Sequence, residues 1–284
     1  MRLNPGVRLD RAETVLREAV TTLSNAQNST PYETPWQTWL QALDRVLPPL
    51  TETFADPDFA QILQSPTYWN LLQTNGTGPE TIRLVHRELR RQITTLENAQ
   101  VQLDALAAHA RIPGVPVIAD TNILLRWDQP SDIDWRQLLK DDDAPALQAR
   151  LIIPLVVLDE LDRQKYRAVD DQLGRRAATA IRFLDRTFTA TAPGTPATLT
   201  PHATIEIAPA PTPNGPEAMD PDMRILLCAA DIHQLQPDAG TRVLTGDTGM
   251  RLRARQMNLP TLRLPEHHRK PGTAMSSTET DETP

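Results

Sequence analysis

Four acidic residues stand where a predicted strand ends or a predicted helix begins. Asp120 directly follows the apolar stretch 117–119, and Asp247 follows the stretch 243–246. A charge at the end of an apolar run is costly unless it is solvated, paired or bound to a metal ion. Two such acids at neighbouring strand ends would repel each other. A divalent cation between them would relieve that repulsion, so the spacing points to metal-assisted chemistry.

The other two acids lie near predicted helix starts. Glu160 falls in the early turns of the helix after the apolar stretch 151–153, and Asp222 falls just after Pro221. Acids in a first helical turn also stabilise the positive end of the helix dipole. Taken alone, Asp222 is explained equally well as a helix-start acid, and Glu160 is explained better as a solvated helix residue. Asp120 could equally cap a loop, and Asp247 could simply anchor its turn. Only the combination of the four predicts one site.

The elements that must position these acids follow from the hydrophobic periodicity. After a turn at 111–114, short apolar stretches alternate with amphipathic helical ones, which is typical of a mostly parallel sheet flanked by helices. The predicted strands are 115–119, 151–153, 204–207, 242–245 and 261–264. The predicted helices are 154–167, 171–188, 222–235 and 250–257, and the Pro/Thr-rich segment 189–201 is predicted to be a flexible loop. In such open sheets, ligands bind beyond the carboxyl ends of the strands, where Asp120 and Asp247 fall.

The first third of the chain has helical periodicity instead. Predicted helices cover 9–23, 36–47 and 79–110, with the second ended by the Pro48-Pro49 pair. The third carries heptad stripes of mostly apolar residues: Ile82, Leu89, Leu96, Leu103 and Ala110 on one series, Val85, Gln92, Ala99 and Leu106 on the other. This spacing indicates packing within an N-terminal helical bundle, or a homodimer seam or docking surface for a partner protein. We therefore expect a helical domain at 1–112, an α/β domain at 113–266 and a polar, disordered tail at 267–284.

Composition excludes several other classes of protein. A length of 284 residues predicts about two domains, and a net charge of −7 disfavours extensive binding to long nucleic-acid duplexes. The single cysteine, Cys228, cannot form an intrachain disulfide or a thiolate zinc site, which fits a reducing compartment. Neither a signal peptide nor an apolar run long enough to span a membrane is evident. The expected location is the cytoplasm.

From about Val115 to Pro265, the sequence resembles the PIN-domain family of ribonucleases. The segments that carry the resemblance are VIADTNILL, LIIPLVVLDELDRQK, GRRAATAIRFLDR, DPDMRILLCA and VLTGDTGMRLRARQMNLP. The resemblance implies a Rossmann-like PIN domain whose four acids are Asp120, Glu160, Asp222 and Asp247. It implies supporting roles beside those acids for Thr121, Asn122 and Thr245. The helical first third of the chain lies outside the resemblance.

The resemblance further implies a metal-dependent endoribonuclease that hydrolyses RNA phosphodiesters to a 3′-hydroxyl and a 5′-phosphate. An oxygen-only ligand set favours Mg²⁺ or Mn²⁺ over zinc. The absence of a Ser-His or Cys-His pair in the sequence fits a water nucleophile. Four cations are candidate contacts to the RNA backbone, although solvated helix faces explain them equally well: Arg163, Lys165, Arg175 and Arg176.

Three alternatives fit parts of the pattern. An aspartyl-nucleophile phosphatase needs a second acid two residues after the first, where this chain has Asn122. A receiver domain needs an Asp after its third strand, where this chain has Ala208 and Pro209. The third alternative is a non-catalytic or toxin-like PIN module that binds RNA or a partner protein, with the N-terminal bundle as the interaction domain and an antitoxin as one possible partner. The presence of all four acids favours catalysis.

Overall fold

The structure is a computed structural model that describes residues 3–28, 35–55, 63–73, 78–167, 172–192, 194–208 and 220–271. The chain divides into two compact units, Met1–Ile112 and Pro113–Pro284. The first unit is helical and the second combines helices with a sheet. In the described ranges, no helix has both the length and the apolar character needed to cross a bilayer.

The first unit contains helices α1 (Leu9–Gln27), α2 (Pro35–Thr53), α3 (Pro66–Leu72) and α4 (Pro79–Ala110). The heptad stripe of α4 is buried in its middle, at Leu89, Leu96 and Leu103, where α4 packs against α1 and α2. Gln92, the one polar member of the two stripes, accepts a hydrogen bond from Trp39 Nε1 at 3.0 Å and donates one to a backbone carbonyl. Most of the stripe therefore packs within its own unit.

The prediction that Pro48-Pro49 ends the second helix is wrong, because α2 continues to Thr53. Each proline removes a backbone donor and favours a break in a helix. Here Val46 and Leu50, on either side of the two prolines, have buried side chains that pack in the core. Thr51 Oγ1 also donates to the carbonyl of Pro48 at 2.9 Å. Tertiary packing thus outweighs the local preference.

The second unit is built on a six-stranded sheet in the order β3-β4-β2-β1-β5-β6. The strands are β1 (Val115–Ala119), β2 (Ala149–Ile153), β3 (Ala197–Thr200), β4 (Ala203–Ile207), β5 (Arg242–Leu244) and β6 (Thr261–Leu262). The flanking helices are α5 (Thr121–Arg126), α6 (Trp135–Asp141), α7 (Leu155–Arg167), α8 (Gln172–Thr189), α9 (Pro221–Leu235) and α10 (Thr248–Gln256). All pairings are parallel except β3 with β4. The predicted architecture, a mostly parallel sheet flanked by helices after a helical N-terminal region, is confirmed.

Strand β3 was not predicted, since its residues fall in the segment expected to be a flexible loop. It pairs antiparallel with β4, with Thr198 opposite Thr204. An antiparallel neighbour needs only a tight turn, and Pro201 and His202 supply it. The Pro/Thr composition therefore marks a short edge hairpin, because threonine is well suited to a half-exposed strand.

An ion pair is buried inside the otherwise aliphatic sheet. Arg150 of β2 donates to the carboxylate of Glu206 on the neighbouring strand β4, and also to Gln236 Oε1 at 3.1 Å. Burial raises the pKa of Glu206, and the Arg150 guanidinium opposes that shift. A buried charge without its partner is strongly destabilising, so a shift in the pairing of β2 with β4 that separated Arg150 from Glu206 would be costly.

The tail was expected to be disordered from His267 onwards, but its first residues are folded. The carbonyl of His268 accepts from Asp128 N at 2.8 Å, and the His268 ring lies 3.1 Å from the Asp128 carboxylate. Lys270 N donates to the carbonyl of Arg126 at 2.9 Å. These bonds extend the folded chain to Pro271, and residues 272–284 lie outside the described residues. The polar composition of this segment did not reveal its backbone partners.

We expect a fragment spanning 113–271 to fold without the helical unit, because its sheet and aliphatic core draw only on its own residues. Urea unfolding followed by circular dichroism should give one cooperative transition. A matched fragment that begins at Thr121 lacks the central strand β1 and should not fold. An insoluble or non-cooperative 113–271 fragment would show that the helical unit is part of the same folding unit.

Candidate active site

Asp120 lies at the carboxyl end of β1, in the middle of the sheet. Its backbone N–H donates to the carbonyl of Leu244 at 3.0 Å, which continues the pairing of β1 with β5. Its side chain is the N-cap of α5 and accepts from Asn122 N at 3.3 Å. Only 2% of the residue is exposed. A carboxylate is therefore buried at the point where the strand turns into a helix.

Thr245 links this acid to the next strand end. Because β1 and β5 are parallel neighbours, the residues that follow them meet at one edge of the sheet. Thr245 Oγ1 donates to Asp120 Oδ2 at 2.8 Å and accepts from Asp247 N at 3.0 Å. Asp247 then caps α10 by accepting from Met250 N at 2.8 Å. One buried hydroxyl thus positions both acids.

Asp222 approaches from the start of α9. Asp220 occupies the N-cap position and Pro221 the first helical position, with Asp222 just inside. The Asp222 carboxylate does not simply face solvent, because its Oδ2 atom lies 2.5 Å from Nη2 of Arg253 on α10. Nη1 of the same guanidinium lies 3.2 Å from Asp220 Oδ2. The start of α9 is therefore tied to α10.

Glu160 is attached to the site through a neighbour of Asp120. Its Oε2 atom accepts a short hydrogen bond from Thr121 Oγ1. Thr121 is buried in the first turn of α5, directly after Asp120. This contact joins α7 to α5 and holds Glu160 at the same edge of the sheet.

The carboxylates influence one another's ionisation. Burial raises the pKa of Asp120 to about 6, the hydrogen bonds from Thr245 and Asn122 oppose the shift, and the charges of Asp222 and Asp247 add to it. Burial also raises the pKa of Asp222, with Arg253 opposing and the neighbouring acids adding. Asp120, Asp222 and Asp247 are therefore close enough to repel.

The donor types suit a hard divalent cation, since buried and partly buried carboxylate oxygens surround Asp120 and accumulate negative charge. In the described part of the chain, however, no three His, Cys, Asp or Glu side chains already stand as a joint metal-binding group. Asp222 is paired with Arg253, and Glu160 accepts from Thr121. The chemistry of the residues fits a metal ion. An ion bound to Asp222 Oδ2 would have to displace Arg253, and one bound to Glu160 Oε2 would have to displace the Thr121 hydroxyl.

The four cations predicted to contact substrate lie on α7 and α8: Arg163, Lys165, Arg175 and Arg176. Arg163, Lys165 and Arg175 are exposed, and the Lys165 ammonium lies 5.0 Å from the ring centroid of Tyr166. Arg176 instead donates to the carbonyl of Pro271 at 2.7 Å, which connects α8 to the C-terminal segment. Arg163 Nε also donates to the carbonyl of Asp159 in its own helix at 3.2 Å, so Arg176 is distinguished by tying its helix to another segment.

Sequence reasoning missed Arg253, the cation that contacts the acidic cluster. A signal was present, because Arg253 lies six residues after Asp247 on the helix that Asp247 caps. Its long side chain can reach back toward the start of that helix. The pairing with Asp222, however, joins residues 31 positions apart and has no local signature.

A doubly wound α/β sheet with acids gathered at the carboxyl ends of its strands defines the broad class of this unit. The PIN domain family matches residues 117–264, which is more than half of the chain, and the protein belongs to that family. PIN domains are generally nucleases that use divalent metal ions. The predicted family membership is confirmed.

The curated proteins contain no match. Among solved structures, the chain is similar to "a domain of a functionally unknown protein from Methanocaldococcus jannaschii DSM 2661". The identity is 17%, the match covers 60% of this chain and all of the other, and the TM-score is 0.32.

The raised pKa of Asp120 predicts a specific dependence of stability on pH. In an unfolded chain an aspartate titrates near pH 4, whereas folded Asp120 titrates at about 6. Between these values the folded state binds more protons, so ionisation of Asp120 lowers the free energy of unfolding as the pH rises. Asp120→Asn removes this penalty. In EDTA, the stability of the variant relative to the native protein should therefore rise by up to about 3 kcal/mol from pH 4 to pH 7.

Urea unfolding at several pH values measures this difference. Asp238→Asn removes the same charge from an exposed position and controls for the general loss of one carboxylate. A stability difference that stays constant or shrinks toward pH 7 would show that Asp120 is not a strained, desolvated acid.

Proposed function

We propose that this protein is a metal-dependent endoribonuclease that hydrolyses RNA phosphodiesters at the carboxyl edge of its PIN-domain sheet. The observation that carries the proposal is Asp120, a buried carboxylate held by Thr245 and Asn122 beside Asp222 and Asp247. Packing negative charge in this way destabilises the empty site. The protein belongs to a family whose members are generally nucleases, which supports a catalytic role for these acids.

The four acids Asp120, Glu160, Asp222 and Asp247 would hold Mg²⁺ or Mn²⁺. When bound, such an ion lowers the pKa of a water molecule and stabilises negative charge on a scissile phosphate. Thr245 holds Asp120 and Asp247 in a fixed relation, and Thr121 orients Glu160. The attack by water leaves a 3′-hydroxyl and a 5′-phosphate.

Exposed groups on α7 and α8 would contact the RNA outside the scissile bond. Arg163, Lys165 and Arg175 are exposed cations suited to phosphate contacts. Tyr166 is 71% exposed, and its ring is suited to stacking against a base. Together these groups favour a single-stranded RNA substrate. We propose that cleavage takes place in the cytoplasm.

A second candidate function is a binding module without catalysis, in which the PIN domain or the helical unit binds RNA or a partner protein, as in a toxin-like pair or a homodimer. The observation that favours it is the lack of a preformed metal-binding group among the described residues. The pairing of Asp222 with Arg253 points the same way. Cleavage measurements separate the two functions.

Metal removal tests the first function. Purified protein should cleave single-stranded RNA in Mn²⁺ or Mg²⁺, and EDTA should abolish the cleavage because the carboxylates alone cannot activate water. Re-addition of Mn²⁺ in excess of EDTA should restore it. Cleavage that survives exhaustive chelation would exclude the carboxylate–metal mechanism, whereas RNA binding with no cleavage under any metal would favour the binding module.

Asp120→Asn tests the site itself. The change keeps the shape of the side chain but removes one negative charge, so metal binding should weaken and turnover should fall by at least ~100-fold, or about 2.7 kcal/mol in transition-state stabilisation. Steady-state cleavage in Mn²⁺ measures the effect, with Asp238→Asn as the matched control. A folded Asp120→Asn variant that cleaves at the native rate would remove Asp120 from the active site.

A further inference from the structure

One guanidinium, that of Arg253, forms ion pairs with two acids at the start of α9, Asp220 and Asp222. Nη2 lies 2.5 Å from Asp222 Oδ2, and Nη1 lies 3.2 Å from Asp220 Oδ2. The Nε atom is buried and has no hydrogen-bond partner within the described residues. An unsatisfied buried donor is unfavourable. The guanidinium is therefore held by the charge of the acids, not by a complete set of hydrogen bonds of its own.

The local backbone makes room for this arrangement. A Cβ atom added at Gly249 would lie 3.1 Å from Asp247 Oδ1 and 3.9 Å from Arg253 Nη2. The absence of a side chain at this position lets both groups border the same small space. Asp247 Oδ1 and Arg253 Nη2 thus border the same small space beside Gly249, while the ion pairs of Arg253 are with Asp220 and Asp222.

The contact is also open to replacement. The side chains of Arg253 and Asp222 are 41% and 36% exposed, so water and ions reach them. An ion pair at such a position stabilises a protein only modestly, because water solvates each partner after they separate. A divalent cation on Asp222 would carry twice the charge of the guanidinium and would repel it at close range.

We propose that Arg253 is a built-in counter-cation that a divalent metal ion must displace from Asp222 when the site is loaded. This inference rests on the proposed function, since it assumes that the acids bind a metal ion. In the metal-free protein, Arg253 neutralises part of the clustered charge. On loading, the ion takes over that task, so Arg253 lowers the affinity of the site for metal and keeps loading reversible.

Isothermal titration of the full-length protein with Mn²⁺, in the absence of RNA, tests the inference. Arg253→Gln removes the competitor, so its Kd for Mn²⁺ should be about tenfold lower than that of the native protein, within the usual range of coupling between competing ligands. Arg255→Gln, an exposed arginine on the same helix, removes the same charge and should leave the Kd within about twofold. An unchanged or higher Kd for Arg253→Gln would overturn the inference.

Thermal melts give a readout that a purely structural role would not move. In EDTA, Arg253→Gln should melt below the native protein because its acids repel without a counter-cation, and saturating Mn²⁺ should close that gap. A gap that persists in Mn²⁺ would make Arg253 a structural residue only. If Arg253→Gln does not fold, Arg253→Lys serves instead. The lysine lacks the planar fork whose two terminal nitrogens contact Asp222 and Asp220 separately, so its Kd should also fall.

The outcomes distinguish the two proposals. Equal Mn²⁺ binding by the native protein and Arg253→Gln would remove the role of Arg253 and leave the metal-dependent site intact. No Mn²⁺ binding by either protein would overturn the metal site and the role of Arg253 together.

Discussion

The cost of burying the Asp120 carboxylate is the constraint on which the rest of the site depends. The acid lies at the end of a fully buried strand, and the charges of nearby acids further raise its pKa. A desolvated carboxylate keeps its charge only if polar groups or a cation compensate for the lost water. Thr245 and the N–H of Asn122 supply part of that compensation. The part of the desolvation cost that these groups do not offset favours binding of either a proton or a metal ion by Asp120. The stability of the fold and the chemistry of the site therefore depend on the same carboxylate.

Much of this arrangement could be predicted from the sequence because it follows from local rules. Asp120 and Asp247 each follow an apolar strand, and parallel strands bring such residues to one edge of a sheet. Pro221 marks the start of α9 and places Asp222 in its first turn. The family resemblance then selected Glu160 among many helical acids. The roles of these residues stay predictions, whereas the fold and the family are confirmed.

The features that escaped prediction depend on contacts between distant residues. No local pattern pairs Arg253 with Asp222 or joins Thr121 to Glu160. The continuation of α2 through Pro48 and Pro49 depends on packing against other helices, and β3 exists because β4 offers it a partner. In each case the structure depends on a contact between residues distant in sequence, which a local pattern does not reveal.

Two arginine–carboxylate contacts of the α/β unit show how burial decides what such a contact can do. Arg150 and Glu206 are sealed inside the sheet, where neither charge can separate without being left in a medium that solvates it poorly. That pair is permanent and helps to specify the pairing of two strands. Arg253 and Asp222 lie at the rim, where water can solvate each partner after separation. The same chemical groups therefore form a structural contact in the core and an exchangeable one at the edge of the sheet, next to the acids that a metal ion would occupy.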